Sequence, residues 1–596
     1  MRSVLLSMVV LAAACDAGTP MQAGGDGGGG GNAGDGGDGG QMMMPPANCT
    51  PSCAGMMCGA DGCGGTCGGC PAGQLCNGGS CGAITGDAIQ VDVTSSPHAI
   101  HPEVYGLAFA SKQTLTDLHV PVNRWGGNSS TRFNWMLDVH NTANDWYFEN
   151  IVNNEGDPTY GTAGYVSTSD QFVLDNQASG AASLMTIPTI GWTPKDRATS
   201  GGHTCGFPIA TYGAQQSTDP YDANCGNGKN AAGTALTGDP TTTSTAAPPS
   251  FEQSWLTHLT GKFGNAQAGG IRYYALDNEM MLWSSTHADV HPAPVSYDEV
   301  WKKTTDYAPI IKAADPGAFL LGYGSWGVLD LFDSGLDQTN NLMDQAAHGK
   351  VPLAEWYLQQ LAAYDKANGK RLVDCLDIHY YPQGGDPLEN TASLWDATYH
   401  DPSWIDGWLG EPVRLLPRVA GWIASAYPGT GMCITEYNFN LDTPTDANAA
   451  LAEADALGLF GVYGVRLANF WTTPVDDKGV PQPAYYGMKI FRNYDGAGGA
   501  FGDTSVGAAT TLPSVAVYAA TNAAGAVTVI IINKGAAAQS PALGLHNFQP
   551  GASAKIFQHV AGGATLAAQP DLPVTGGKVT LSLPAKSITL VVVPHG

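Results

Sequence analysis

The feature that most constrains the fold is a repeated alternation of short apolar runs with longer amphipathic segments. Segments such as 296–314 and 352–369 carry apolar residues at helical spacing. Segments of this kind lie between several of eight short apolar runs, which are rich in β-branched and aromatic residues. The runs are VYGLAFA (104–110), VNRWGG (122–127), SLMTIPTI (183–190), IRYYALDNE (271–279), FLLGYGS (319–325), LVDCLDIHYY (372–381), MCITEYN (432–438) and LANFWTT (467–473). Eight strands alternating with helices predict an α/β protein with a (β/α)₈ TIM barrel over residues 83–500.

The pattern changes after about residue 500. The segments 515–533, 554–560 and 578–593 alternate and are rich in β-branched residues, which predicts an all-β sandwich of the jelly-roll type over 501–596. The early run 87–94 is a candidate to join it. All fourteen tryptophans lie outside this region, so we expect it to support the barrel structurally rather than to bind sugar.

The N-terminus has the features of a targeting segment. Residues 1–15 contain Arg2, an apolar run too short to span a bilayer, and small residues before Cys15, similar to a bacterial lipobox. We expect export, with the protein extracellular or held at the cell surface by a lipid on Cys15; the alternative is an ordinary signal peptide. Residues 16–48 are a Gly-rich linker, because nothing there can build a core.

Cysteines cluster between Cys49 and Cys81, where eight of the thirteen lie. In an exported protein an even number in a Gly-rich segment predicts a disulfide framework, here the module 49–82, whose connectivity the sequence does not specify. We expect the module to be a spacer. The rival interpretation is a zinc site that includes Cys67 and Cys70, but no histidine lies nearby.

Four cysteines lie in the predicted barrel. Cys205 and Cys225 flank a polar loop and are expected to form a disulfide. Cys375 and Cys433 lie on neighbouring predicted strands. If His379 and the glutamate at the end of the next strand point inward, strict alternation turns these two cysteines to opposite faces, so we expect buried thiols.

Charge restricts the partners. The chain carries 52 acidic and 26 basic residues, a net charge of -26. Nucleic acid and anionic lipid both attract Lys and Arg, so neither is expected as a partner. A neutral polymer is compatible with this charge.

Two glutamates stand at the ends of predicted strands. Glu279 ends the fourth strand and Glu436 ends the seventh. Glycoside hydrolysis needs one protonated carboxyl and one carboxylate, and the carboxyl ends of barrel strands carry the active site. This placement is typical of the large clan of retaining glycosidases on this barrel, in which the fourth-strand Glu is acid/base and the seventh-strand Glu is nucleophile.

Five sequence blocks resemble glycoside hydrolase family 44. They are RWGGNSSTRFNW (124–135), NDWYFEN (144–150), YYALDNEMMLWSSTHADVHP (273–292), LDIHYYPQ (376–383) and ITEYNFN (434–440), and the resemblance covers about 84–596. It implies an endo-acting, retaining β-1,4-glucanase active on cellulose derivatives and xyloglucan, with xylan or glucomannan as further substrates. The family usually has Pro after the acid/base Glu, where this chain has Met280.

The resemblance also implies roles for individual residues. Glu279 is the general acid/base and Glu436 the nucleophile. Asn278 is expected to bond the 2-hydroxyl of the sugar, and Arg124 to hold Glu436 charged. The other predicted substrate-binding residues are Asn128, His379, Tyr380, Tyr437, Trp283, Trp326 and Trp471. Each has a structural alternative: an ion pair for Arg124, a core histidine for His379, and core packing for the tryptophans.

No metal or cofactor is required for this chemistry. The loop carboxylates Glu149, Asp219 and Asp222 are candidates for a structural Ca²⁺, with solvated charge as the alternative. Two other functions stay open: an exo-acting glycosidase such as an arabinofuranosidase, and a non-catalytic polysaccharide-binding lipoprotein. The sequence predicts no oligomeric state.

Overall fold

The computed structural model describes residues 51–596, except 54, 64, 72 and 199–202. The predicted signal segment, Cys15, the Gly-rich linker and Cys49 lie outside the described residues. Within the described part, no helix has both the length and the apolar character needed to cross a membrane.

A closed barrel of eight parallel strands forms the centre of the molecule. Strands that are neighbours in the chain are neighbours in the barrel, and the last pairs with the first. The strands are Gly106–Ala108, Val122–Trp125, Ala182–Ile187, Tyr273–Leu276, Phe319–Tyr323, Cys375–Tyr380, Gly431–Tyr437 and Leu467–Phe470. Six of these strands lie within their predicted runs, and the other two begin one residue earlier, at Ala182 and Gly431, so the predicted TIM barrel is confirmed.

Eight main helices follow the strands and surround the barrel. They are Lys112–Asp117, Thr168–Ser179, Pro249–Phe263, Tyr297–Ala314, Leu353–Asn368, Leu415–Ala426, Ala449–Val462 and Pro483–Arg492. Tyr297–Ala314 begins at a serine cap, because Ser296 accepts the N–H of Glu299. Ala449–Val462 is buried on almost all sides, since it packs between the barrel and the β-domain.

Loops at the carboxyl ends of the strands contain small elements of their own. The loop after the second strand holds a three-stranded sheet, and two short strands pair in the loop after the third. These strands are Phe133–Asn134, Val139–Asn141, Asn150–Val152, Trp192–Pro194 and Ser244–Ala246. Short helices are Pro102–Tyr105, Asn128–Arg132, Ala143–Trp146, Ile209–Tyr212, Pro240–Thr242, Ala266–Ala268, Met280–Leu282, Trp283–Thr286, Leu329–Leu331, Asp337–Asn340, Met343–Ala347, Pro387–Asn390, Thr391–Leu394 and Trp404–Leu409.

The C-terminal region is all-β, as the alternation predicts. Its strands are Thr504–Thr510, Val515–Thr521, Val527–Asn533, Ala542–His546, Ser553–Val560, Ala567–Pro573, Lys578–Thr580 and Ser587–Val593. The early strand Ile89–Asp92 joins them between Thr504–Thr510 and Ala542–His546, and His98–Ala99 also pairs with Thr504–Thr510. The chain therefore enters the β-domain before it forms the barrel.

A buried charged group joins the β-domain to the barrel. Asp455, on helix Ala449–Val462, is 1% exposed and accepts hydrogen bonds from three side chains. Two belong to the β-domain: Lys534 Nζ at 2.5 Å and the Tyr518 hydroxyl at 2.7 Å. Thr391 Oγ1, in a barrel loop, donates at 2.5 Å. The carboxylate is therefore fully bonded across the interface.

Asp455→Ala is expected to lower the free energy of unfolding by about 3 kcal/mol, because it leaves the Lys534 ammonium without its counter-charge at the interface. Urea unfolding followed by fluorescence measures the change. Asp571→Ala, on an exposed strand of the β-domain, is the control and should unfold like the wild type. Equal unfolding midpoints for all three proteins would contradict this account of the interface.

The Cys-rich module packs on the body of the protein. Its disulfides are Cys53–Cys67, Cys58–Cys76 and Cys70–Cys81, and Cys63 is also disulfide-bonded. The alternative of a zinc site at Cys67 and Cys70 is therefore wrong, since both sulfurs are in disulfides.

Contacts with two other parts of the chain hold the module in place. Ser95 Oγ donates to the Cys76 carbonyl at 2.7 Å, and the strand Gln74–Asn77 contacts Thr504–Thr510. A Cβ on Gly69 would lie 2.7 Å from Val462, so the module backbone closely approaches the buried barrel helix. The module is therefore docked on the fold, and its role as a spacer stays a prediction.

The expectation of free thiols at Cys375 and Cys433 is wrong. The two cysteines form a disulfide with a Cα–Cα distance of 5.9 Å, and both are fully buried in the barrel interior. Strict alternation fails because the pairing of strands six and seven shifts by one residue just before His379 and Glu436, where Thr435 is the extra residue. A β-bulge of this kind reverses the face of every preceding side chain on its strand.

Candidate active site

The two predicted catalytic glutamates meet at the carboxyl end of the barrel. Glu279 lies three residues after the end of the fourth strand at Leu276, and Glu436 lies near the end of the seventh. Their side chains are 14% and 6% exposed. Oxygen atoms of the two carboxyl groups lie within 4.8 Å of each other. This spacing is closer to the 5–5.5 Å that is usual in retaining glycosidases than to the separation of about 6.5 Å or more in inverting ones.

His379 lies between the two glutamates. Its Nδ1 is 2.9 Å from Glu279 Oε1 and 3.5 Å from Glu436 Oε2, and its ring is fully buried. On the other side, Nε2 is 3.1 Å from the hydroxyl of Thr435, the extra residue of the β-bulge. The imidazole is therefore fixed by the strand that carries the nucleophile candidate and contacts both carboxyl groups.

Three groups hold Glu436 in its ionised form. Arg124 Nη1 donates to Oε1 at 2.7 Å, and the hydroxyl of Tyr381 donates to Oε2 at 2.8 Å. Burial alone would raise the pKa of Glu436. The charges of His379 and Arg124, with these hydrogen bonds, outweigh burial, so the pKa of Glu436 lies below its usual value.

The pKa of Glu279 is shifted in the opposite direction. Burial raises its pKa to about 7, with the negative charges of Glu436 and Asp330 adding to the effect and the contact with His379 reducing it. Glu279 thus titrates near neutral pH, whereas its neighbour Glu436 stays ionised there. When the environments of two neighbouring carboxyl groups shift their pKa values in opposite directions, the group with the raised pKa serves as the acid and the ionised group as the nucleophile.

The backbone around Glu279 is strained and held by a carboxylate. Asp277 and Glu279 both have positive φ, 59° and 44°, a conformation that costs non-glycine residues of order 1–3 kcal/mol each. The buried Asp277 carboxylate accepts the backbone N–H groups of Thr189, Ile190 and Asn278. Sequence reasoning missed this residue, whose signal is an acidic side chain at the same strand end.

A chain of hydrogen bonds extends from the nucleophile candidate to the second-strand loop. Arg124 Nη2 donates to Asn278 Oδ1 at 2.8 Å, and Asn278 Nδ2 donates to Asn128 Oδ1 at 3.3 Å. Asn128 Nδ2 in turn donates to both oxygens of Asp145. Burial and the charge of Glu436 raise the pKa of Asp145 to about 6, against the Asn128 hydrogen bond. Asp145 is a second residue that sequence reasoning missed.

Known proteins share this sequence and architecture. The family model described as glycoside hydrolase family 44 matches residues 139–384. The crystal structure of CelM2, a bifunctional glucanase-xylanase from a metagenome library, is 38% identical, covers 85% of this chain and 99% of its own, and superimposes with a TM-score of 0.79.

The chain belongs to glycoside hydrolase family 44.

Two curated relatives are much longer than this chain. Endoglucanase A of Paenibacillus lautus is 30% identical over 71% of this chain, and beta-mannanase/endoglucanase A of Caldicellulosiruptor saccharolyticus is 28% identical over 74%. This family 44 chain spans 59% and 34% of their respective lengths.

Two predicted tyrosines do not lie in the family 44 site. The Tyr380 hydroxyl donates to Ser393, and the Tyr437 hydroxyl donates to Glu453 at 2.8 Å; both rings are buried in the core. They point outward because they alternate with the inward-facing residues of their strands. Tyr381, two residues after His379, takes the predicted place of Tyr380 beside Glu436. Alternation counted from His379 is the signal that identifies it.

The predicted tryptophans divide into two groups. Trp283 is fully buried and its Nε1 donates to the Asn278 carbonyl at 3.2 Å, so it supports the site from the core and offers no face to a sugar. Trp471 and Trp326 are half-buried. The Trp471 ring lies 5.7 Å from the Arg124 guanidinium, beside Glu436, and Trp326 follows the fifth strand. Both remain candidates for sugar contact.

Three groups of side chains in the described part of the chain have metal-ligand spacing. One is the pair of catalytic candidates with His379. Another consists of cysteines that are in disulfides. The third brings Glu149 and Asp219 together with His203, beside the expected disulfide Cys205–Cys225.

Two of the three expected loop carboxylates, Glu149 and Asp219, are in the third group, but its third member is His203 and not Asp222. Glu149 is 1% exposed, and its Oε1 has no hydrogen-bond partner among the described residues. Burial, together with the charges of Asp219 and Asp222, raises the pKa of Glu149 to about 9. A buried carboxylate oxygen without a partner, near two further carboxylates, fits a hard cation such as Ca²⁺.

Proposed function

We propose that this protein is an exported, retaining, endo-acting β-1,4-glucanase. The observation that carries the proposal is the pair Glu279 and Glu436: oxygen atoms within 4.8 Å and pKa values shifted in opposite directions. Retaining glycosidases have their carboxyl groups about 5–5.5 Å apart, whereas inverting enzymes keep them about 6.5–9.5 Å apart. The short spacing supports a direct attack by Glu436.

The reaction then has two displacement steps. In the first, the Glu436 carboxylate attacks the anomeric carbon while Glu279 gives its proton to the leaving glycosidic oxygen, which breaks the C–O bond and leaves a glycosyl ester on Glu436. In the second, Glu279 takes a proton from water, whose oxygen attacks the same carbon and releases the carboxylate. Because His379 contacts both carboxyl groups, it stays in place while the proton and charge move.

The substrate class is a neutral β-linked glucan. CelM2 is named a glucanase-xylanase and the curated relatives are named endoglucanase and beta-mannanase/endoglucanase. We therefore propose cellulose derivatives and xyloglucan as main substrates, with xylan and glucomannan as further ones.

The test uses purified protein with carboxymethylcellulose, xyloglucan, xylan and glucomannan. We expect new reducing ends and oligosaccharide products. Monosaccharide as the first product would favour the exo-acting alternative, and binding to cellulose without release of sugar would favour a non-catalytic binding protein. No release from any of the four polymers would contradict the proposed activity.

We also propose that Glu149, Asp219 and Asp222 hold a structural Ca²⁺. Millimolar Ca²⁺ is expected to raise the melting temperature by about 2 °C or more, because a ligand that binds only the folded state at 100 times its Kd adds about 2.7 kcal/mol. Differential scanning calorimetry with Ca²⁺ and with chelator measures the shift. Glu149→Gln should abolish it, while Glu389→Gln, an exposed glutamate in another loop, should leave it unchanged. An equal shift in the Glu149 variant would exclude this site.

A further inference from the structure

A buried group of polar side chains lies in the barrel below the two catalytic candidates. Asp377, on the sixth strand, is 1% exposed, and Thr435, on the seventh, is fully buried. Asp377 comes two residues before His379 on the same strand, so both side chains point into the barrel. Thr435 is the extra residue of the β-bulge, and its hydroxyl oxygen lies 3.1 Å from His379 Nε2. Asp377, Thr435 and His379 thus form a relay that ends at the active site.

The hydrogen bonds between Thr435 and Asp377 set the direction of this relay. Burial raises the pKa of Asp377 to about 7, and the charge of Arg124 and hydrogen bonds from the Thr435 hydroxyl and backbone N–H act against burial. Oδ1 of Asp377 has no hydrogen-bond partner among the described residues, so these bonds go to the other oxygen, Oδ2. Oδ2 accepts them whether the carboxyl is charged or is protonated at Oδ1. The Thr435 hydroxyl therefore donates to Asp377 in both states.

The relay fixes the protonation of one ring nitrogen of His379. A hydroxyl has a single proton to donate, and that of Thr435 goes to Asp377. The Thr435 oxygen can then only accept from the ring, so Nε2 of His379 carries a proton. Nδ1 is the nitrogen that faces the carboxyl groups, 2.9 Å from Glu279 and 3.5 Å from Glu436. When both nitrogens are protonated, each N–H has an acceptor, so the relay favours the positively charged ring.

The charge of His379 acts on both catalytic candidates. Burial raises the pKa of Glu279 and of Glu436, and the charge of His379 lowers both pKa values. The other titratable or charged groups that face these carboxyl groups and the relay are Arg124, Asp145, Asp330, Tyr357 and Tyr381. Loss of the charge on His379 therefore raises the pKa values of the two glutamates together.

We propose that Thr435 is a positioning residue, whose hydroxyl is oriented by Asp377 and keeps a proton on His379 Nε2. It thereby maintains a positive charge between the acid/base and the nucleophile. The inference rests on the proposed function, since Glu279 and Glu436 must be the reacting pair. It also gives the β-bulge a role in catalysis, because the extra residue of the seventh strand supplies the hydroxyl that fixes the histidine.

The pH profile of kcat/KM on xyloglucan, which reports groups of the free enzyme, tests this role. Thr435→Val keeps the shape and removes the hydroxyl, so Nε2–H has no acceptor and the charged ring is disfavoured. We expect both limbs of the profile to move to higher pH, the basic one from about 7 to about 8. A buried hydrogen bond lost from a charged group corresponds to about one pKa unit or more. Thr435→Ser retains the hydroxyl and should keep both limbs at their wild-type positions.

Thr186→Val is the matched control. Thr186 is also fully buried on a barrel strand, but in the described part of the chain its hydroxyl has no hydrogen-bond partner. Its variant should have the limbs of the wild type. Limbs of Thr435→Val that stay in place, or that move to lower pH, would overturn the relay. If Thr435→Val does not fold, Thr435→Ala compared with Thr435→Ser isolates the hydroxyl, because both lack the methyl group of threonine, and the same limbs decide.

Nitrogen-15 NMR of the histidine rings tests the relay without turnover. We expect Nε2 of His379 to carry a proton in the wild type and to lose it in Asp377→Leu, because the Thr435 hydroxyl then lacks its acceptor and donates to Nε2. The signal is assigned by its absence from His379→Gln. An unprotonated Nε2 in the wild type, or a protonated one in Asp377→Leu, would overturn the relay. Failure of the wild type to hydrolyse any β-glucan would instead count against the proposed function, and the ring protonation would still decide the relay.

Discussion

Glu436→Gln is expected to lower kcat on β-1,4-glucan on the order of 10⁴-fold or more, the scale seen when a covalent nucleophile is removed. The amide is nearly the same size and can still accept a hydrogen bond from Arg124, so the fold should survive. It cannot form the glycosyl ester, because it is not a carboxylate. Reducing-end release from carboxymethylcellulose measures kcat.

The control for Glu436→Gln is Glu389→Gln, an exposed glutamate in the loop after the sixth strand. It should retain wild-type kcat. Circular dichroism and the melting temperature of both variants show whether the barrel is intact. A folded Glu436→Gln protein with more than about 1% of wild-type kcat would exclude Glu436 as the nucleophile.

Glu279→Gln is expected to lower kcat on polysaccharide about 10²- to 10⁴-fold, the usual contribution of a general acid/base. The pH profile gives a second readout. Catalysis needs Glu279 protonated, and burial raises its pKa to about 7, so wild-type activity should fall as the pH rises through about 7. The variant has no proton to lose there, so this basic limb should disappear.

Leaving-group chemistry separates Glu279 from a merely structural residue. An aryl β-cellobioside with an acidic phenol leaves without protonation, so its glycosylation step should be much less impaired in Glu279→Gln than that of the polysaccharide. The acid limb of the profile reflects Glu436, whose pKa lies below its usual value, and should be unchanged. An unchanged basic limb, or equal losses on both substrates, would contradict the assignment.

The sequence predicted the barrel well because its strands and helices differ in period. Each strand coincides with a predicted run to within one residue at its start, and the helix predicted over 296–314 is observed as Tyr297–Ala314. The sequence also indicated that Ile89–Asp92 joins the β-domain, although the two are far apart in the chain, because its alternation matches that of the C-terminal strands. Local patterns of this kind do not depend on how loops fold.

The sequence could not predict the side-chain geometry where regular alternation breaks. Because of the β-bulge at Thr435, Cys433 faces the side opposite to the expected one. Cys375 and Cys433 therefore form a disulfide where we expected two free thiols. No local pattern in ITEYN marks the extra residue. Without a bulge on its own strand, the sixth strand did follow alternation, and counting from His379 would have identified Tyr381 in place of Tyr380.

The sequence also could not predict the contacts between loops. Asp145 and Ser217 lie 72 positions apart in the chain and line one cavity only because the disulfide segment folds back over the second-strand loop. Trp283 was assigned to sugar binding, yet its Nε1 bonds the Asn278 carbonyl from within the core. Whether a tryptophan supports a site or lines it depends on tertiary packing, which residue type does not encode.

The stereochemistry of the first product tests the central claim most directly. Proton NMR of a cello-oligosaccharide during its first minutes of hydrolysis shows which anomer forms before mutarotation. The short distance between the two carboxyl groups favours double displacement, so we expect the β-anomer to appear first and the α-anomer only later. Initial release of the α-anomer would contradict the account, because it would mean that water, and not Glu436, attacks the sugar.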